Sequence, residues 1–228
     1  MIPYSMDNVQ GPKRSLYVTF GKRAFDLLIA AVVLIVFGPL MILIALLVKL
    51  GDGGPILYRQ ERVGFGGKLF YLTKFRSMCL NAEHKGAGIL VERNDNRITG
   101  IGKIIRKLSL DELTQIFDVI RGDMSVVGPR PGLLYQAELY DEEQRRRLTV
   151  NPGITGWAQV RGRNSIAWPE RIRLDIEYIE SIGFLKDIQI ILITLPSVIF
   201  GSNQIAGADY WKERRAELER EGKIDSAS

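Results

Sequence analysis

Cysteine and histidine are almost missing from this sequence: its 228 residues hold one of each, Cys79 and His84. A lone thiol forms no intramolecular disulfide, so nothing ties the fold to an oxidising compartment. Two such residues are also too few for a zinc site, and His84, in a polar stretch, reads as a surface residue. Neither G-x-x-x-x-G-K-[ST] nor a helix-opening G-x-G-x-x-G occurs, which excludes the common nucleotide-phosphate loops. No D-x-D pair, no recognised nucleic-acid motif and no internal repeat is present either. Acidic residues are the minority charge, 26 against 31 Lys and Arg, for a formal net charge of +5. That excess favours anionic partners, whether nucleic acid, lipid headgroups or phosphorylated substrates, without choosing among them.

What the chain does contain is a long apolar run, Leu27 to Val48, with no charged residue in it and Lys49 at its end. At about 1.5 Å per residue such a run spans roughly 33 Å, enough for a bilayer core. It is too long for a signal peptide, and no small-residue cleavage site follows it. Gly38-Pro39 sits at its middle, where proline removes a backbone donor and bends a helix. Lys13, Arg14, Lys22 and Arg23 precede the run, and Lys49, Arg59 and Arg62 follow it, so charge bias assigns no direction. A hairpin that enters and leaves by one face and a single kinked span both remain open.

Beyond the run, Ile56–Val63 and Lys68–Met78 read as two strands joined by Gly64-Phe65-Gly66-Gly67, a β-hairpin. Alternation puts Lys74 and Arg76 on one strand face, either as ordinary surface cations or as an anion-facing edge. Residues 79–96 form a polar loop, and Ile101, Ile104, Ile105 and Leu108 mark a helix that delivers the chain to Asp111.

There the sequence sets two adjacent carboxylates, Asp111 and Glu112, among arginines. Ser109 and Glu112 have the spacing of a capping box, and Leu113, Ile116, Phe117 and Ile120 give the apolar face of a helix closed by Gly122. Asp111, Gln115 and Asp118 then lie on its polar side. Acidic residues suit a first helical turn in any protein, but the same dipole, with nearby arginines, would also hold Asp111 ionised, as a carboxylate nucleophile must be. Pro129 and Pro131 stiffen the backbone around Arg130, and a rigid guanidinium near paired carboxylates points to phosphate chemistry.

Further on, Leu133–Leu148 reads as one helix whose Asp141-Glu142-Glu143 and Arg145-Arg146-Arg147 form a solvated face. Residues 151–164 are glycine-rich yet keep Trp157, Arg161 and Arg163, the content of a functional loop. Pro169 opens a helix that Gly183 stops, and Leu185–Phe200 is an apolar helix too short to span, either buried or lying in the membrane interface. From Asp209 the tail reads as a solvated, frayed helix.

Five ordered stretches carry a specific resemblance: Lys22-Arg23-Ala24-Phe25-Asp26; Lys74-Phe75-Arg76-Ser77-Met78; Ser109-Leu110-Asp111-Glu112-Leu113; Gly122-Asp123-Met124-Ser125 through Gly128-Pro129-Arg130-Pro131; and Pro152-Gly153-Ile154-Thr155-Gly156-Trp157-Ala158-Gln159-Val160 with Gly162-Arg163-Asn164. The chain resembles the monotopic phosphoglycosyl transferases, the bacterial sugar transferase family that begins lipid-linked glycan assembly, and looks like a minimal member.

The resemblance implies an α+β fold: a re-entrant, proline-broken membrane helix, a compact cytosolic domain of helices around a β-hairpin, and interfacial amphipathic helices. The corresponding boundaries are an arm at 1–20, the membrane helix at 21–50, the catalytic domain at 51–205 and a charged tail at 206–228. It implies that Asp111 attacks the sugar-bearing phosphate of a UDP-sugar, releasing UMP, and that undecaprenyl phosphate then takes the phosphosugar in a ping-pong cycle using Mg2+. Glu112 would support the metal or the pair's geometry, with Asp111 and Glu112 as the metal carboxylates. Lys74, Arg76, Arg106, Arg130, Arg163 and Asn164 would surround the phosphates. Gly38 and Pro39 would make the membrane bend, where relatives often have serine before the proline. Thr114 and Asp118 also depart from the common pattern, with little effect expected. The implied partners are the UDP-sugar, undecaprenyl phosphate and membrane lipid at the cytosolic face of the bacterial inner membrane. Small members often take N-acetylated amino sugars, with neutral hexoses as the alternative. Two readings compete: a sugar-only transferase releasing UDP, and a basic lipid-anchored scaffold.

Overall fold

The computed structural model describes residues 5–7, 9–82, 95–162, 166–200 and 208–221. A π-helical turn, Tyr17–Gly21, leads into α1, Lys22–Asp52, the one helix among the described residues long and apolar enough to cross a membrane. Pro39 lies inside α1 and does not divide it into two elements. Gly53, at φ 71°, ends the helix by donating its N–H to the Lys49 carbonyl, a left-handed cap that glycine adopts without strain. One face of α1 buries Ala30, Met41, Ile44 and Val48, while Leu28, Ile35, Val36, Leu43 and Leu50 stand exposed on the rest.

The hairpin is present as expected: β1 (Leu57–Val63) pairs antiparallel with β2 (Leu69–Phe75), from Leu57 opposite Phe75 to Val63 opposite Leu69. α2 (Gly100–Lys107) and α3 (Gln115–Arg121) follow, with a 3₁₀ turn, Leu110–Glu112, between them. A second, parallel pair joins β3 (Ser125–Val127) to β4 (Gly153–Thr155). Periodicity could not announce three-residue strands. The backbones approach so closely here that a Cβ on Gly153 would lie 2.1 Å from the Gly128 nitrogen, which explains a glycine in each segment.

Leu133–Leu148 is not the single helix expected. It is broken into α4 (Leu134–Glu138), α5 (Glu142–Arg145) and a 3₁₀ turn, Arg146–Thr149. Asp141 is the reason, because its carboxylate accepts from the Gln144 N–H at 2.9 Å and starts a new helix with a capping box. Nor do its arginines form a solvated face. Arg146 and Arg147 are buried, the first between Glu143 and Glu180 and the second against Asp175.

α6 (Trp157–Arg161), α7 (Trp168–Glu180), α8 (Phe184–Phe200) and α9 (Ala208–Arg220) complete the chain. One core joins the inner face of α1 to Phe75, Ile116, Val119, Met124 and Tyr178, and a second gathers Tyr140, Ile172 and Ile176 with Trp211 and Leu218 of α9. The tail is therefore docked rather than solvated: Trp211 is 2% exposed. α8 buries Asp187 and Ile190 and exposes Leu185, Leu192 and Leu195.

Both ends of α1 are fastened to the rest of the chain. At its start Asp26 accepts from the Ser125 hydroxyl and the Val126 N–H, each at 3.0 Å, and Lys22 bridges Asp26 and Asp187. At its end Asp52 takes the Arg76 guanidinium.

Candidate active site

Only Leu108 and Ser109 separate α2 from the turn that carries the acidic pair. So short a link forces Ser109 into the left-handed region, φ 55°, a conformation costly for any residue with a Cβ. Its side chain makes no capping bond, and Glu112 does not reach back to it, so the expected capping box is absent. Glu112 faces β2 and the proline-flanked arginine instead. Lys74 Nζ donates to its Oε1 at 2.8 Å, Arg130 Nη2 donates to the same oxygen at 2.6 Å, and Arg130 Nη1 reaches Oε2 at 3.3 Å. Burial alone would raise the Glu112 pKa, but Arg130 and Lys74 reverse that and hold the carboxyl well below the usual range.

Asp111 has the opposite environment. It is 7% exposed, and no side chain among the described residues hydrogen-bonds its carboxylate. Burial pushes its pKa up, Lys74 pulls it down, Glu112 adds to the rise and Arg106 opposes it. The turn thus sets a fixed, ionised Glu112 beside an Asp111 that no side chain among the described residues engages, the separation of pKa values that divides roles between paired carboxylates. Arg106 stays close at the end of α2, where its Nη1 meets the Ser77 hydroxyl at 3.3 Å.

Not every expected residue joins them. Arg76 is buried and committed to Asp52 and to the Pro55 carbonyl, so it anchors the end of α1 rather than facing the pair. Arg163 and Asn164 lie outside the described residues, as does His84. The supposed polar side of α3 points inward: Asp111, Gln115 and Asp118 are buried, while Phe117 and Ile120 are about two-fifths exposed. Asp118 accepts from the Thr73 N–H at 2.9 Å and Thr114 donates its hydroxyl to the Thr73 carbonyl at 3.0 Å. Together they satisfy the free edge of β2 at the residue before Lys74.

A cavity of about 420 Å³ opens beside Glu112 and Arg130. Its polar end adds Arg62, Arg147 and Arg171, and its apolar wall runs along Ile29 and Val33 of α1 to Ile191 and Leu195 of α8. Burial, with Arg130 beside it, lowers the Arg62 pKa to about 10, still charged at neutral pH. A basic pocket continuous with apolar helix faces suits a phosphate carried on an apolar chain.

Residues 17–201 match the family model described as bacterial sugar transferase. The chain belongs to that family. It is 42% identical over 178 residues to the uncharacterized sugar transferase EpsL of Bacillus subtilis (strain 168), covering 78% of this chain and 87% of that protein. It is 40% identical over 195 residues to the exopolysaccharide production protein ExoY of Rhizobium meliloti (strain 1021), covering 78% and 84%. It is also 40% identical over 202 residues to the UDP-glucose:undecaprenyl-phosphate glucose-1-phosphate transferase of Caulobacter vibrioides (strain ATCC 19089 / CIP 103742 / CB 15), covering 85% and 75%.

Of the acidic pair, to which the resemblance assigns Mg2+, Glu112 already gives both oxygens to Lys74 and Arg130, so Asp111 is the carboxylate that fits a metal without losing an ion pair. Mg2+ keeps several waters and is usually held by one or two carboxylates together with substrate phosphates, so it needs no dedicated protein cage. Among the described residues no group of three or more acidic, histidine or cysteine side chains forms such a cage. Sequence reasoning missed Arg62, Arg147 and Arg171, whose place is set by folding contacts and not by any local motif.

Proposed function

We propose that the protein transfers a sugar phosphate from a UDP-sugar to undecaprenyl phosphate, through a covalent intermediate on Asp111. The observation that carries this reading is the pairing of a buried Asp111, with no side-chain hydrogen bond among the described residues, with a Glu112 locked between Lys74 and Arg130. An Asp111 carboxylate oxygen attacks the sugar-bearing phosphorus, and the bond to UMP breaks with its electron pair leaving on UMP. The lipid phosphate then attacks the same phosphorus, and the bond to Asp111 breaks, restoring the carboxylate and giving a polyprenyl diphosphosugar. Lys74, Arg106 and Arg130 neutralise phosphate oxygens during both displacements, without which an anionic nucleophile meets strong repulsion. Arg163 and Asn164 carry the same role by resemblance. Asp111 would hold Mg2+ together with substrate phosphate, and the ion would add further neutralisation of charge.

The site works at the cytosolic face of the bacterial inner membrane, where UDP-sugars meet lipid phosphate at headgroup level. α1 enters and leaves by that face, bending about Gly38 and Pro39. What supports re-entry is that Asp26 and Asp52, at the two ends of α1, bond to residues of the same compact domain, whereas a crossing helix sends its ends to opposite sides. The name of the Caulobacter relative favours glucose over an N-acetylated amino sugar as the transferred group.

The test is incubation of the detergent-solubilised protein with Mg2+ and a panel of UDP-sugars. UMP release and a phosphosugar adduct on the chain are expected, both absent in Asp111→Asn; UDP as the product would sink the reading in favour of simple glycosyl transfer. For topology, a cysteine placed at Ser5 should resist periplasmic labelling, and labelling there refutes re-entry.

A further inference from the structure

The segment that carries Arg130 is held with unusual completeness. Four successive carbonyls accept from three other parts of the chain: Pro129 from the Gly153 N–H at 2.9 Å, Arg130 from Arg147 Nη2 at 2.9 Å, and, from the end of β1, Pro131 from Arg62 Nη1 at 3.1 Å and Gly132 from the Val63 N–H at 3.1 Å. Backbone amides do this in any sheet; a buried arginine, Arg147, and a half-buried one, Arg62, do not. An arginine withdrawn from water is costly unless its donors are matched, so its place needs a reason.

Arg147 spends its whole fork on this arrangement. Its Nε donates to Asp175 at 2.8 Å, Nη1 to the Tyr140 hydroxyl at 2.5 Å and Nη2 to the Arg130 carbonyl. It is 5% exposed, and Asp175 and Tyr140 are 3% exposed each. A lysine ammonium could not serve three acceptors in this planar geometry. Tyr140 in turn packs on Trp211 of α9, ring centroids 5.7 Å apart, and Trp211 meets Trp168 of the cavity wall at 5.1 Å. α9 begins at Ala208, beyond the residues that the family model matches.

We infer that Arg147 is a positioning residue for Arg130, and that α9 completes its support through Trp211 and Tyr140. The inference rests on the phosphosugar-transfer reading of the Glu112–Arg130 pair. The guanidinium of Arg130 reaches Glu112 only while its backbone is fixed, and a displacement of the order of 1 Å costs about 100-fold in rate. In this chain, then, a segment outside the family's common core sustains the phosphate-binding arginine.

The full-length protein in detergent tests this by UMP release, thermal unfolding and amide exchange. Arg147→Ala is expected to lose about 10- to 100-fold in turnover. Millimolar guanidinium, entering the cavity that Arg147 lines, should restore part of it, and methylammonium should not. Amide exchange at Gly153 and Val63, whose N–H groups hold the same segment, should quicken in the variant and slow again with guanidinium. Trp211→Ala should show a smaller loss of the same kind, and Trp211→Phe should recover most of it. Turnover of Arg147→Ala within twofold of the parent, or a loss that guanidinium leaves unchanged while the melting point falls, would overturn the inference. If the parent itself releases no UMP, the transfer reading fails, and the exchange measurements still decide whether Arg147 holds the Arg130 segment.

Discussion

Glu112 and Arg130 face each other fork to fork, with Nη2 on Oε1 at 2.6 Å and Nη1 on Oε2 at 3.3 Å. A two-point bond fixes the guanidinium plane, which a single charge cannot do. Arg130→Lys keeps the charge and loses the plane, so UMP release should fall about 10- to 100-fold, or about 1.4 to 2.7 kcal/mol. Lysine still places a cation against Glu112, whose side chain is 13% exposed, so the buried charge keeps a partner and the melting point should move little. Steady-state assays beside thermal unfolding check both halves, and an unchanged rate would remove Arg130 from the phosphate site.

The two carboxylates titrate apart. Burial raises Asp111, while Arg130 and Lys74 hold Glu112 low, so the acid limb of UMP release belongs to Asp111 and lies above the ordinary aspartate value of about 3.9. Arg106→Gln removes a cation that pulls Asp111 down and should move that limb to higher pH. The same shift governs stability. A carboxyl whose folded pKa exceeds its unfolded value contributes fully below the unfolded pKa, and that contribution is lost as pH rises through the folded one. Asp111→Asn cannot ionise, so it should melt higher than the parent at neutral pH, and the gap should close towards pH ~4. A melting-point difference that does not depend on pH would contradict the raised pKa of Asp111.

Where a motif carried its own chemistry, the chain could be read directly. The hairpin of β1 and β2 stands where alternation and its glycine loop put it, and the proline-flanked Arg130 meets the acidic pair; only the resemblance ties Lys74 to that pair, and the pair sits on a 3₁₀ turn without the capping box its spacing suggests. What could not be read were polar residues whose partners are distant. Asp118 looked like the wet side of a helix because its reason to be buried, the Thr73 N–H, lies 45 residues away. Arg147 looked like one of three surface cations, and Asp175, 28 residues on, takes it inside. Trp211 sits in a charged tail, and only packing on Tyr140 and Trp168 draws it in. Arg76 shows the reverse error: a cation near Lys74 in sequence was claimed by Asp52 at the end of α1. Periodicity reports which face is apolar on average, and it carries no information about a buried polar group satisfied by another segment.

Thr73 gives the last expectation, because its carbonyl takes Thr114, just before α3, and its N–H goes to Asp118 within α3. Among the described residues no third strand pairs with the free edge of β2, and Thr114 and Asp118 stand in for one at the residue before Lys74. Thr114→Val keeps the shape and leaves the Thr73 carbonyl buried without its donor, a cost of about 1 to 3 kcal/mol. Thr114→Ser keeps the hydroxyl and should cost far less. Because Lys74 follows directly and reaches Glu112 at 2.8 Å, loosening this edge should also slow UMP release. Urea unfolding and turnover, measured on both variants, check the two effects together: loss in valine and retention in serine are expected. Equal stability in the two would mean that the hydroxyl bond to Thr73 contributes nothing to the fold.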